Sequence, residues 1–206
     1  VAANYSAYLD TTVAKIVDVV LKTYDFSKRS TLLDLCGCTG AFVTGVLKAV
    51  PTLEGAFIDV PACADIGQAQ LAAASPDLQK RMKAIGGDVL ATPLPPSDVI
   101  TICRSAIDFN DEKLVRIYRR AREALKPGGE FLIIERMIPE KETDETRALH
   151  MRAVYFLAKS PTTRYRRVPH HFKLLREAGF TRFNVVDSPE RPYEFFKDMH
   201  IIAASV

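Results

Sequence analysis

Five short apolar runs alternate with segments of helical period, and this alternation constrains the chain more than any other feature. The runs are Thr31-Leu-Leu-Asp-Leu-Cys36, Gly55-Ala-Phe-Ile-Asp-Val60, a weaker one ending near Gly86-Gly87-Asp88, Asp98-Val-Ile-Thr-Ile-Cys103 and Glu130-Phe-Leu-Ile-Ile-Glu135. Between them helices are predicted near 40–50, 62–74 and 111–126, the last stopped by Lys126-Pro-Gly-Gly129. Strands separated by helices imply βαβ units, and hence a parallel sheet covered on both faces. The flanks differ. Residues 5–21 carry Tyr8, Leu9, Val13, Ile16, Val17 and Val20 at helical spacing, which predicts an amphipathic helix. After the charged loop and helix start at 139–146, helices near 145–158 and 169–178 precede two late strands, near 180–188 and 194–204, that predict a closing hairpin.

A chain of 206 residues can bury one sizeable core. A net charge of +3 is too small to argue for a nucleic-acid partner, and the one basic cluster, Arg164, Arg166 and Arg167, reads as a solvated loop or helix start. No apolar run approaches the roughly 18 residues that span a membrane. The first residues lack the basic start and apolar stretch of a signal peptide. Four cysteines without framework spacing point to a reducing compartment, so the expected location is cytoplasmic.

In an open parallel sheet, ligands bind beyond the carboxyl ends of the strands, where strand order reverses. The informative residues therefore follow each strand. After the first comes Asp34-Leu-Cys-Gly-Cys-Thr-Gly40, whose small residues let the backbone turn sharply and approach a ligand ahead of a helix N-terminus. After the second comes Asp59, a carboxylate suited to two ribose hydroxyls, at close to the roughly 20-residue spacing of a nucleotide-binding βαβ unit. Asp88 follows the third, and Cys103-Arg104-Ser105 the fourth. Each alone also fits a turn or cap; together, on successive strand ends, they mark a site.

In order along the chain, Asp34-x-Cys-Gly-Cys-Thr-Gly40, Phe57-Ile-Asp-Val-Pro61, Gly87-Asp88, Asp108-Phe-Asn-Asp-Glu112, Leu125-Lys-Pro-Gly-Gly-Glu-Phe-Leu-Ile-Ile-Glu135 and Leu174-Leu-Arg-Glu-Ala-Gly-Phe180 form a set. The set resembles the catalytic domain of the class I S-adenosylmethionine-dependent methyltransferases related to the caffeate and hydroxyindole O-methyltransferases. The resemblance implies an α/β fold: a Rossmann-like, seven-stranded, mostly parallel sheet with an antiparallel C-terminal hairpin and helices on both faces. It implies S-adenosyl-L-methionine as cofactor, its methionine end at the Asp34–Gly40 segment through Gly37 and Gly40, ribose at Asp59, adenine near Asp88 and Val89, and Arg104 close by. The acceptor would be a small aromatic or macrocyclic molecule. Residues 1–25 would be a linker helix and 26–206 the cofactor-binding domain. The N-terminal dimerisation domain of the family has no counterpart in the chain, so a homodimer, or a partner in that role, is expected.

Three departures bear on the chemistry. Cys36 and Cys38 stand where the family has glycines, and the Cβ of Cys38 threatens to crowd the methionine moiety or remodel the loop. In Ala106-Ile-Asp-Phe109, Ile107 occupies the position of the family's histidine base, and an aliphatic side chain cannot transfer a proton. One carboxylate that would orient that histidine is kept as Glu135, the best polar candidate on the acceptor side; the other falls at Arg166. The branch that methylates a carbon of bacteriochlorophyll precursors also lacks the histidine. Positioning alone can accelerate transfer from a sulfonium, and His150, His170 and His171 are alternative bases, with His150 taken forward. The loss of the base also admits a non-catalytic binding or assembly subunit, or a cofactor-binding enzyme with non-methylating chemistry. Cys36, Cys38, Cys63 and Cys103 all fall near the carboxyl edge of the sheet, but without the tight paired spacing of metal sites, and no metal is expected.

Overall fold

A computed structural model describes residues 2–139, 144–160, 162–186 and 199–206. Seven strands form one sheet: β1 (Thr31–Leu35), β2 (Glu54–Asp59), β3 (Met82–Gly86), β4 (Ser97–Cys103), β5 (Leu125–Arg136), β6 (Arg182–Val185) and β7 (Met199–Ser205), in the order β3-β2-β1-β4-β5-β7-β6. The first five are parallel, and β7 runs antiparallel between β5 and β6. Strand order thus reverses between β1 and β4, the place where a doubly wound sheet leaves an open crevice.

Among the described residues, seven helices flank the sheet: α1 (Ala2–Thr23), α2 (Ala41–Ala49), α3 (Pro61–Ala72), α4 (Pro76–Arg81), α5 (Asp111–Ala124), α6 (Asp144–Lys159) and α7 (Val168–Glu177). Successive strand residues point to opposite faces, and two cores result. On one face Leu32, Phe57, Leu132 and Ile134 pack with Ile16, Val17 and Val20 of α1 and Phe42, Val46 and Leu47 of α2. On the other, Leu33, Ile58, Ile100 and Ile133 pack with Leu114, Ile117 and Tyr118 of α5 and Leu174 and Leu175 of α7. Each large apolar side chain so buried contributes about 2 kcal/mol. The segment taken from the sequence as a linker helix therefore puts part of its length into the core.

Local chemistry explains the element ends. The Asn110 side chain accepts a hydrogen bond from the Lys113 N–H at 2.9 Å, and Asp111 and Glu112 sit favourably at the positive start of α5. Ser75 caps α4 with Pro76 in its first turn, a start signal that the sequence carried but the periodicity argument passed over. The Lys126-Pro-Gly-Gly segment ends α5 as expected, yet it belongs to β5. Leu125 already pairs with Ser97, and a register shift follows before Glu130 pairs with Val99. Residues 187–198, where the two late strands were expected to turn, lie outside the described residues. So do 140–143, within the predicted charged loop.

Candidate active site

Between the carboxyl ends of β1, β2 and β4 opens a cavity of about 700 Å³, within the size range of small-molecule sites. One wall is the turn after β1. Cys36, Cys38 and Gly40 there have φ of 56°, 55° and 79°, a left-handed conformation that costs a residue with a Cβ about 1–2 kcal/mol. This is why glycine would be natural at both cysteines. Three hydrogen bonds hold the turn. The Cys38 N–H donates to Asp59 Oδ2 at 2.7 Å, Gly37 N–H to the Ile58 carbonyl at 3.1 Å and Gly40 N–H to the Gly37 carbonyl at 2.8 Å.

Both glycines also make room for the protein itself. A Cβ on Gly37 would lie 2.8 Å from Asp34 Oδ2 and 2.9 Å from Phe57 Cβ. One on Gly40 would lie 2.5 Å from the Phe57 ring, and Gly40 is not among the residues lining the cavity.

The acidic residues at the strand ends differ in state. Asp59 is fixed at the rim by two backbone donors, Val60 N–H to Oδ1 and Cys38 N–H to Oδ2, each at 2.7 Å. Asp34 is buried and accepts the Thr101 hydroxyl at 2.6 Å; burial lifts its carboxyl to about 8, with the Asp59 charge adding to the rise and Thr101 opposing it. Asp88 is exposed and caps its own turn, accepting the Leu90 N–H at 2.8 Å, with Val89 buried beside it. Arg104, also left-handed at φ 61°, donates its N–H to the Ile134 carbonyl and turns its guanidinium to Thr12 Oγ1 of α1 at 2.7 Å. Asp34, Gly37, Asp59, Asp88, Val89 and Arg104 all line the cavity.

The far side of the cavity is lined by Ile107, Asp108, Phe109, Glu135, Tyr155 and Tyr165. Glu135 is buried on β5. Its Oε1 accepts the Arg136 N–H at 2.9 Å, and its Oε2, also buried, has no hydrogen-bond partner among the described residues. Burial lifts this carboxyl to about 7, with Asp108 pushing it further up and backbone donors opposing. Asp108 is open to solvent along part of its surface, yet enough protein surrounds its carboxyl that burial, and then the charge of Asp59, raise it to about 6. None of His150, His170 and His171 lines this cavity. His150 is on α6; His170 pairs with Asp111 at 2.9 Å; His171 is buried against the Tyr118 hydroxyl at 2.9 Å and held neutral, its ring lowered to about 3 mainly by burial.

The basic cluster at 164–167 departs from the solvated face read from the sequence. Arg164 and Arg167 are exposed, but Arg166 is buried. Its guanidinium pairs with Asp111 and donates to the carbonyls of Ala106, Arg164 and Phe109, which clamps the 3-10 turn Ala106–Asp108 that carries Ile107. Ser105 lines the site as expected, whereas Tyr155 and Tyr165 join it unannounced, since nothing in a local pattern marks an aromatic residue as facing a cavity. All four cysteines line it as expected. Among the described residues, no cluster of three or more His, Cys, Asp or Glu side chains has a metal-binding arrangement, and no helix is long and apolar enough to cross a membrane.

The O-methyltransferase domain family matches residues 1–181. The chain belongs to this family. Among the relatives of this O-methyltransferase domain is the demethylspheroidene O-methyltransferase of Cereibacter sphaeroides, 30% identical over 94% of this chain and 50% of that protein. The solved mitomycin 7-O-methyltransferase MmcR is 25% identical, with a TM-score of 0.78 over 95% of this chain and 53% of its own. The human N-acetylserotonin methyltransferase, solved in complex with SAM, shares the fold at 22% identity and a TM-score of 0.75, covering 96% of this chain and 54% of its own. The O-methyltransferase domain spans about half the length of the curated relatives it matches.

Proposed function

We propose that the chain binds S-adenosylmethionine in the strand-end cavity and transfers its methyl group to a small aromatic or macrocyclic acceptor, without a histidine base. The observation that carries this is the convergence of the β1 turn, Asp59 and the Asp88–Val89 turn on one cavity of nucleotide size in an O-methyltransferase domain. The residues present fit the cofactor. Asp59 keeps lone pairs beyond those used by its two backbone donors, Val89 offers an apolar surface, and the cavity has room. When bound, S-adenosylmethionine supplies a methyl group on a positively charged sulfur, which departs as a neutral thioether.

This chain's residues supply the rest. Ile107, Phe109, Tyr155 and Tyr165 hold an apolar acceptor and exclude water, and the Arg166 clamp fixes the turn that carries Ile107. Acceleration rests mainly on this positioning. The proton released from an acceptor hydroxyl is assigned to Glu135 over His150, because Glu135 lines the cavity, has an unpartnered oxygen and titrates near neutrality. A partner surface is assigned to α6, where Met151, Val154 and Leu157 are apolar and at least half exposed. The four free cysteines support a reducing, cytoplasmic setting.

The test is calorimetric titration with S-adenosylmethionine and S-adenosylhomocysteine, followed by an acceptor screen. Micromolar binding that Asp59→Ala weakens by about 10- to 100-fold, the worth of a charge-assisted hydrogen bond, supports the reading. Absence of binding by the folded chain refutes it, and binding without turnover moves the assignment to a binding subunit.

A further inference from the structure

Two of the cysteines at this cavity stand apart from the other two. Cys38 sits in the left-handed turn after β1, and Cys63 lies in the first turn of α3, its N–H bonded to the Val60 carbonyl at 2.9 Å. The Cys63 thiol lies near enough to the Asp59 carboxylate and the Cys38 side chain for both to raise it, after burial. Both residues are half-buried and line the cavity beside Asp59. Cys36 and Cys103 line it too, but burial pushes both thiols well up and neither is in such a contact with another thiol. Methyl transfer as proposed has no use for a pair of neighbouring thiols.

We propose that Cys38 and Cys63 form a reversible disulfide across the cofactor end of the cavity, so that oxidation of the pair and cofactor binding exclude one another. The oxidant is a peroxide. The Cys38 sulfur attacks one peroxide oxygen, the O–O bond breaks, and a sulfenic acid and water result. The Cys63 sulfur then attacks the Cys38 sulfur, the S–O bond breaks, and a second water leaves. Two thiols lose two electrons and two protons, and the peroxide takes both. Burial and the Asp59 charge push the Cys63 thiol up to about 11, so Cys63 stays protonated until its partner is oxidised. The Asp59 carboxylate, beside that thiol, is placed to receive its proton.

A disulfide brings the two sulfurs to about 2.05 Å and so ties the β1 turn to the start of α3. These two elements flank Asp59, whose Oδ2 is held by the Cys38 N–H. Oxidation therefore narrows the cavity at the residue assigned to the ribose. The exclusion rests on the cofactor assignment above; the disulfide itself does not.

The experiment treats the reduced chain with hydrogen peroxide and follows two readouts. Tryptic mapping should show residues 30–48 joined to 49–80, with Cys38 distinguished from Cys36 by fragmentation, and the link should vanish with dithiothreitol and in Cys63→Ser. Titration should show S-adenosylhomocysteine binding roughly tenfold weaker in the oxidised protein and restored by dithiothreitol, and saturating S-adenosylhomocysteine should slow cross-linking. The proposal is overturned if both thiols remain open to alkylation under peroxide that oxidises free glutathione. A link joining other cysteines, or equal affinities in the two redox states, also overturns it. A reduced chain that binds no S-adenosylhomocysteine refutes the functional reading and the exclusion, while the peptide map still decides the disulfide.

Discussion

Gly40 and Gly128 have nearly the same backbone, φ 79° and 74°, and opposite surroundings. A Cβ on Gly40 would lie 2.5 Å from Cδ1 and Cε1 of the buried Phe57 ring, whereas one on Gly128 would meet nothing within 4 Å. Gly→Ala at either site carries the same left-handed strain and the same gain from a stiffer unfolded chain, so both terms cancel between the two variants. What remains is crowding in a packed core, about 1–3 kcal/mol. The Met82 methyl that also meets the Gly40 position can swing aside, but the Phe57 ring, fully buried between sheet and helices, cannot. Gly40→Ala should therefore be less stable than Gly128→Ala by roughly 2 kcal/mol, which for a domain of this size lowers the Tm by about 4–8 °C. Thermal and urea unfolding of the two variants side by side decides it. Equal midpoints would refute the claim that Gly40 is needed for internal packing.

Two further outcomes follow from buried polar groups. Arg166→Met should cost about 3–5 kcal/mol in urea unfolding, because it leaves three carbonyls and Asp111 without their buried partner, and a loss below about 1 kcal/mol would show that water replaces the clamp. Asp34, raised to about 8, holds a proton in the folded chain that the unfolded chain releases near pH 4. Its stabilisation is therefore full below that pH and is lost as pH rises to about 8. Asp34→Asn, which keeps an oxygen for the Thr101 hydroxyl, should gain stability relative to the parent over that window, and a pH-independent difference would contradict the assignment.

The order of strands and helices was legible because it is written in local periods. The apolar runs at 31–36 and 98–103 and the Asn110 cap need only their neighbours to be read. The strand-end rule then placed Asp34, Asp59, Asp88 and Arg104 at one cavity without knowledge of any side chain's direction. Pro76 after Ser75 was just as local a signal and went unused, whereas the start of β5 at Leu125 was hidden, since Pro and Gly mark a helix end more strongly than a strand start.

Contacts between segments distant in the chain were decided only by the tertiary structure. Arg166 looks like surface charge in sequence, yet it is buried because the carbonyls of Ala106 and Phe109 and the Asp111 carboxylate converge on it. The role of Gly40 depends on Phe57, a strand away, and the nearness of Cys63 to Cys38 depends on a helix start meeting a turn across Asp59. The sequence determined which backbone could form, because hydrogen-bonding period and chain stiffness are local properties. It left open which polar groups lose water together, because desolvation is set by whatever the completed fold brings alongside.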